Sequence, residues 1–260
     1  MASTVGEPSR AAEALRRWYG IGRSAVIYYG NPLKRRRART LYRQFVQPGA
    51  LCFDIGAHLG DRIGHFRALG ARVVALEPQP RLMRILRRLY GGDTAVTLIE
   101  AAAGATPGAA PLLAPTANPT VASLSPGWVE TVSRSPGFRG LRWRERPIVA
   151  VTTLDALIAQ HGVPSFCKID VEGFEHEVLK GLTRPLPALS IEYVRPALDI
   201  ALQAVTRLAA MGPYRFNLSP GESMRFAADW CSAAAIADRL AALPADDNSG
   251  DVYAWLRISE

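Results

Sequence analysis

"FDIGAHLGDRIGHFRALGARVVALEP", residues 53–78, decides the fold. An apolar run, Leu51-Cys52-Phe53, meets an acid, Asp54, and then two glycines four apart, Gly56 and Gly60. Ile63, Phe66 and Leu69 recur at helical spacing, and Gly70 suits a helix C-cap. Residues 72–78 are a second strand, closing on Glu77-Pro78. Outward from this strand–turn–helix–strand unit the alternation continues. Residues 80–92 read as a helix, with Pro80 in its first turn and a stripe of Leu82, Ile85, Leu86 and Leu89. Strands follow at 95–102, 166–171 and 188–194, with helices at 173–181 and near 198–211. The end differs: a strand at 214–219, a helix near 232–242 and a last strand at 250–258. This pattern predicts a mostly parallel sheet covered on both faces. Four acids, Asp54, Glu77, Asp170 and Glu192, each close a predicted strand. In such sheets ligands bind beyond those strand ends.

Two segments break the rhythm. Residues 1–47 carry ten Lys/Arg and two acids, which accounts for the whole net charge of +8. They read as a basic helical arm, with apolar spacing over Arg10–Tyr19 and an exposed helix over 34–45 whose Leu41, Tyr42 and Phe45 dock on the body. Residues 48–260 form the main domain, with an insertion at 104–147 rich in proline, glycine and serine. Three cysteines, Cys52, Cys167 and Cys231, without a CxxC, argue against a disulfide framework and against structural zinc, and fit a reducing cytosol. The N-terminal residues lack the apolar core of a secretory signal, and no run of 18 apolar residues exists. A cytoplasmic protein, in peripheral contact with the inner membrane face, is the expectation.

The glycines let the chain turn tightly, and the amides there and at the next helix start attract a ligand carboxylate. Asp54 would attract an ammonium group, and Glu77, 23 residues on, matches the acid that binds a ribose diol. A ligand with an amino-acid end and a ribose end is S-adenosylmethionine. A nicotinamide cofactor needs G-x-G-x-x-G, but the second glycine is missing from Gly56-Ala57-His58-Leu59-Gly60, and Asp54 would repel a pyrophosphate.

The segments at 53–80, 151–158 ("VTTLDALI"), 168–182 ("KIDVEGFEHEVLKGL") and 189–193 ("LSIEY") resemble the FkbM-like family of S-adenosylmethionine-dependent methyltransferases in order and spacing. The resemblance implies an α/β Rossmann-like methyltransferase fold, a seven-stranded mostly parallel sheet with a reversed last strand. It implies an enzyme that methylates hydroxyl groups on sugars, glycolipids or polyketide-type metabolites. Carried onto this chain, Asp54, Gly56, Ala57, His58 and Gly60 would hold the methionine end of the cofactor. Glu77 and Pro78 would take the ribose, Glu100 and Ala101 the adenine, and Asp170 would face the methionine or the acceptor. His58 stands where the family often has Asn.

An alcohol acceptor must lose a proton, so a general base helps, and Asp170 and Glu172 are the catalytic candidates. Glu175 and Glu177 read as solvated or paired with Lys180, and His176 as a surface residue. Lys168 in mid-strand needs a partner, for which Glu192 is the candidate. Asp170, Glu172 and Glu192 offer hard oxygen ligands, but no His cluster accompanies them and no metal is expected. Trp128, Phe138 and Trp143 with Arg134, Arg139, Arg142, Arg144 and Arg146 suggest that the insertion covers an anionic glycan or other small acceptor. The basic arm suits anionic lipid headgroups. A nucleic-acid methyltransferase is the weaker reading, because "KIDVEG" stands where an N-P-P-Y-type motif would. A noncatalytic adaptor is weaker still, because Asp54, Gly56, Glu77 and Asp170 are intact. The oligomeric state is not legible.

Overall fold

The computed structural model describes residues 32–115, 119–244 and 247–257, so the helical spacing over Arg10–Tyr19 lies outside the described residues. The elements run α1 (Pro32–Tyr42), β1 (Leu51–Ile55), α2 (Asp61–Ala68), β2 (Arg72–Leu76), α3 (Pro80–Tyr90) and β3 (Val96–Ile99). Next come β4 (Ala102–Ala103), β5 (Gly108–Pro111), α4 (Pro126–Ser133), β6 (Ile148–Thr152), α5 (Leu154–His161), β7 (Phe166–Ile169) and α6 (Glu175–Lys180). The chain closes with β8 (Ala188–Val194), α7 (Leu198–Met211), β9 (Tyr214–Pro220), α8 (Ala233–Ala241) and β10 (Ser249–Leu256).

The main sheet has seven strands in the order β3-β2-β1-β7-β8-β10-β9. All pairs are parallel except those of β10, which runs antiparallel to both β8 and β9. This is the expected mostly parallel sheet with a reversed last strand. The order reverses between β1 and β7, and the C-terminal ends of β1, β2, β7 and β8 converge there. A second, three-stranded sheet, β4-β6-β5, joins β5 of the insertion to the strands that flank it, and the insertion adds one helix of eight residues, α4, held by Ser125 at its N-cap.

Each face of the main sheet has its own apolar cluster. Phe53, Ile55, Cys167, Ile169, Leu189 and Ile191 pack on one side with α5, α6, α7 and α8. Cys52, Phe166, Ala188 and Tyr253 pack on the other with α1, α2 and α3. The register pairs Phe53 with Cys167 and Cys52 with Phe166, so the two cysteines are on neighbouring strands but opposite faces. All three cysteines are buried and free. α3 buries Leu82, Met83 and Leu86, whereas Leu89 of the expected stripe is 57% exposed. The buried stripe is thus Leu82, Met83 and Leu86, with Ile85 half-buried.

The second half of the basic arm is built into this second face. Leu41, Tyr42, Phe45 and Val46 are buried. Tyr42 meets Phe66 edge-on at 4.9 Å, and Phe45 stacks on Phe166 at 5.2 Å and on Tyr253 at 6.1 Å. Offset and edge-on ring pairs add to the burial itself. Truncation of a buried Phe costs ~3–5 kcal/mol, so Phe45→Ala should lower unfolding stability by about that much in a urea titration. Substitution of Ala at the exposed Leu33 should change it by less than ~0.5 kcal/mol.

Candidate active site

The alternation of β-strand side chains sorts the acids. On the α2-facing side of the sheet, Asp54, Lys168, Ser190, Tyr253 and Asn217 stand opposite one another in one row across five strands. One step further along, Glu192, Asp251 and Ser219 form a second row, and Asp170 follows β7 at the same level. Lys168 is 1% exposed. Its ammonium lies 2.6 Å from Asp251 Oδ1 and 3.2 Å from Asp170 Oδ2, so its partners are these two and not Glu192. β10 inserts between β8 and β9 and brings Asp251 within reach, which no local sequence pattern shows.

The turn after β1 is pressed against the turn after β7. A Cβ at Gly56, whose φ is 89°, would collide with the carbonyl oxygen of Asp170. A Cβ at Gly60 would run into Tyr90 and Leu86 of α3. Both glycines therefore serve close approach of protein to protein. The turn's amides are also used internally: Gly56 and Ala57 donate to Leu76 O, at 3.0 and 2.8 Å, and Gly60 donates to Ala57 O. The amide cradle expected for a ligand carboxylate is not formed by these three groups. His58 N donates to Glu77 Oε2 and Gln79 N to Glu77 Oε1, each at 2.9 Å. Glu77 is 3% exposed, and burial pushes it up to about 7 against these two hydrogen bonds. Burial also lowers His58 to about 4, which leaves its imidazole neutral.

A cleft opens beyond the strand ends, where such sheets bind their ligands. Gly56, His58, Glu77, Pro78, Ala101, Asp170 and Glu172 line it, as expected from the sequence. Asp54, Ala57, Gly60 and Glu100 do not. Strand alternation explains Asp54: Ile55 reaches the cleft wall, while Asp54 is 1% exposed on the Lys168 side, with an Oδ2 that accepts no hydrogen bond. Burial raises Asp54 to about 7, with Arg62 and Lys168 opposing. Ala57 is packed under α2, and Glu100 is tied to Arg87 at 2.9 Å.

The cleft has two unlike ends. Leu76, Ala101, Ala102, Ala103, Leu112 and Leu124 make one wall apolar. Asp170, Glu172, Glu192 and Glu222 make the other acidic. A carboxylate oxygen from each of Asp170, Glu172 and Glu192 lies within 4.8 Å of the other two. Three carboxylates so close suit a hard divalent ion, and their mutual repulsion favours protonation of some of them. Burial and then the charge of Asp170 push Glu172 and Glu192 well above the usual carboxylate range. Burial would raise Asp170 too, but the Lys168 ammonium, with Arg62, holds it below its ordinary value.

Glu172 is aimed by its backbone. It adopts φ 54°, a conformation uncommon for a side-chain-bearing residue, and Gly173 follows at φ 85°. Glu175 is 2% exposed, not solvated, and its Oε1 accepts from Val171 N at 3.0 Å and from Gly173 N at 3.3 Å. The surface pair is Glu177 with Lys180, at 2.6 Å. Trp128 of the insertion packs so closely on Gly173 that a Cβ there would strike the indole. Trp128 also meets Phe138 and Trp143 edge-on, at 5.7 and 6.4 Å, so these aromatics are the insertion's own core. Arg134, Arg139, Arg142, Arg144 and Arg146 are exposed and none lines the cleft. The insertion's contribution to the wall is instead Leu112, Thr120, Ala122 and Leu124. Glu222 was not legible as a site residue; the turn after β9 brings it in, held by Lys34 at 3.0 Å and Arg62 at 3.4 Å.

Strand order, switch point and a cleft flanked by a strand-end acid define an α/β enzyme that binds a nucleoside-containing ligand. The family model described as the Methyltransferase FkbM domain matches residues 54–201, and the chain belongs to this family. It is a methyltransferase, with S-adenosylmethionine as its methyl donor. Among curated proteins, none matches it in sequence. Solved structures similar to it include an O-methyltransferase from Bacillus cereus in complex with SAH, 13% identical, covering 97% of this chain and 94% of that one, with a TM-score of 0.47. The precorrin-6y C5,15-methyltransferase of Geobacter metallireducens is 15% identical over 86% of this chain and 87% of that one, with a TM-score of 0.46. A TehB-like SAM-dependent methyltransferase from Corynebacterium glutamicum is 10% identical over 94% and 99%, with a TM-score of 0.46.

The residues present fit the cofactor. Glu77 keeps a second lone pair on each oxygen for ribose hydroxyls, and the apolar wall suits adenine. A hydrogen bond to a charged group is worth ~1.5–3 kcal/mol. Glu77→Ala should therefore weaken S-adenosylhomocysteine binding by roughly 10–100-fold in a calorimetric titration. Glu77→Gln, which keeps one acceptor oxygen, should lose less.

Proposed function

We propose that this methyltransferase acts on a hydroxyl oxygen of a sugar, glycolipid or polyketide-type metabolite. The observation that carries the reading is the carboxylate group of Asp170, Glu172 and Glu192 at the acidic end of the cofactor cleft. Methyl transfer to a hydroxyl is helped by a base that takes the hydroxyl proton, and a carboxylate with a raised pKa is better matched to that task near neutrality than an ordinary one. When bound, the cofactor supplies an electrophilic methyl group on a sulfonium, whose departure needs no acid. The protein's share is to place the acceptor and take its proton. Asp170, kept ionised by Lys168, accepts a hydrogen bond from the hydroxyl and orients it. Glu172, aimed by its left-handed backbone, receives the proton. Burial first, and then the charges of Asp170 and Glu175, raise its proton affinity. Positioning alone supplies much of such a rate, with effective molarities on the order of 10⁵ M or more.

The charged residues that line the cleft are acids, together with the neutral His58. That lining favours a neutral hydroxyl-bearing group over the anionic one suggested by the arginines of the insertion. A screen of glycosides, glycolipids and polyketides with a labelled methyl donor tests the reading; transfer to nitrogen or carbon acceptors alone would overturn it.

A base must be unprotonated to act, so the rate should fall as pH drops through the raised pKa of Glu172. Asp170→Asn removes the neighbouring negative charge that raises it most, which lowers that pKa. The acid limb of the pH–kcat/KM profile should then move to lower pH. Glu172→Gln should reduce kcat by ~10²–10⁴-fold and leave S-adenosylhomocysteine affinity within about threefold.

A further inference from the structure

Helix α1 has two faces. Ala38, Leu41 and Tyr42 turn inward. Leu33, Arg37, Thr40 and Gln44 recur every three or four positions and, with Arg36 and with Met224, Arg225 and Phe226 of the segment after β9, line a groove on the surface. Arg36, Arg37 and Arg225 are exposed and no acid lines the groove. Its apolar part is aliphatic and aromatic: Leu33, 65% exposed, with the buried Leu41 and Met224 and the half-buried Phe226.

We propose that this face docks the protein on an anionic membrane surface. The three guanidinium groups complement lipid phosphates, and the apolar side chains between them suit the boundary between headgroups and acyl chains. A single-stranded nucleic acid would instead call for a row of exposed aromatic stacking platforms, and Phe226 is the one aromatic in the groove. The face adjoins the active site. Lys34, on the same helix, holds Glu222 at 3.0 Å, and Glu222 lines the cleft. Docking would therefore set the cleft mouth beside the headgroups, where a membrane-borne hydroxyl is presented. The inference goes beyond methyl transfer and does not depend on it.

Flotation of the full chain with vesicles tests it. Wild type should float with phosphatidylcholine vesicles containing phosphatidylglycerol, stay behind with phosphatidylcholine alone, and be released by high salt. Each basic residue near such a surface contributes about fivefold, so R36E/R37E/R225E should lower the vesicle partition coefficient by more than tenfold. Its melting temperature and S-adenosylhomocysteine affinity should match wild type, which separates lost docking from lost fold and from failure of the methyl-transfer reading. The milder R36Q/R37Q should give an intermediate loss. Equal binding to neutral and anionic vesicles would overturn the proposal. So would undiminished flotation of the charge-reversed variant, which would move the binding to residues 1–31. Binding of single-stranded RNA by a protein that ignores the vesicles would overturn it in favour of nucleic acid.

Discussion

A lysine ammonium buried in the middle of a sheet is the constraint around which the active end of this protein is arranged. Taking Lys168 out of water costs several kcal/mol, and only well-placed counter-charges offset it. They come from two directions: Asp251 on the reversed strand β10 and Asp170 at the end of β7. The first ties the strand that closes the sheet to its centre. The second fixes the charge of a cleft residue. Loss of either partner leaves a buried charge half-compensated, so the position of β10 and the ionisation of Asp170 are linked through one nitrogen atom.

From that ionisation the rest of the acidic end follows. Asp170 stays charged because Lys168 is beside it, and its charge is what discourages Glu172 and Glu192 from losing their protons. The neighbours also fix where these groups point. Glu175 gathers the amides of Val171 and Gly173, and Trp128 leaves room only for a glycine at 173. Gly56 lets the turn after β1 rest on the Asp170 carbonyl. The site is thus held by backbone packing from three sides, and the insertion reaches it through the Trp128 indole and the wall residues Leu112, Thr120, Ala122 and Leu124 rather than through its arginines.

The main sheet was legible because its signals are local. Apolar runs ending on acids, helices bounded by Pro80 and Gly70, and the odd last segment are all readable in short windows. The cleft residues Gly56, His58, Glu77 and Asp170 were legible for the same reason: they sit at strand ends. What failed depended on side-chain facing or on long-range pairing. Asp54 and Ile55 are adjacent in sequence, yet one faces Lys168 and the other the cleft. The glycines were rightly assigned to a tight turn, but the groups that crowd them, Asp170, Tyr90 and Leu86, are brought in by tertiary packing and left no local signal. Lys168 was seen to need a partner, and the neighbouring strand offered Glu192; only the insertion of β10 reveals Asp251. Glu222 carried no signal at all, since a loop residue after β9 acquires its place from the ion pairs with Lys34 and Arg62.

Those last ion pairs alter how the basic arm is understood. As sequence, residues 1–47 read as a basic helical arm on a neutral body, with Leu41, Tyr42 and Phe45 expected to dock. In the fold, Tyr42 and Phe45 of the described part belong to an aromatic cluster shared with β7 and β10, and Lys34 helps hold a cleft residue. A helix cannot be both a loose tether and part of the core. α1 is therefore a rigid platform whose inner face is committed and whose outer arginines hold a fixed orientation relative to the cleft. Charge on a flexible tail would only concentrate the protein near an anionic surface; charge on this helix also determines which side of the enzyme meets it.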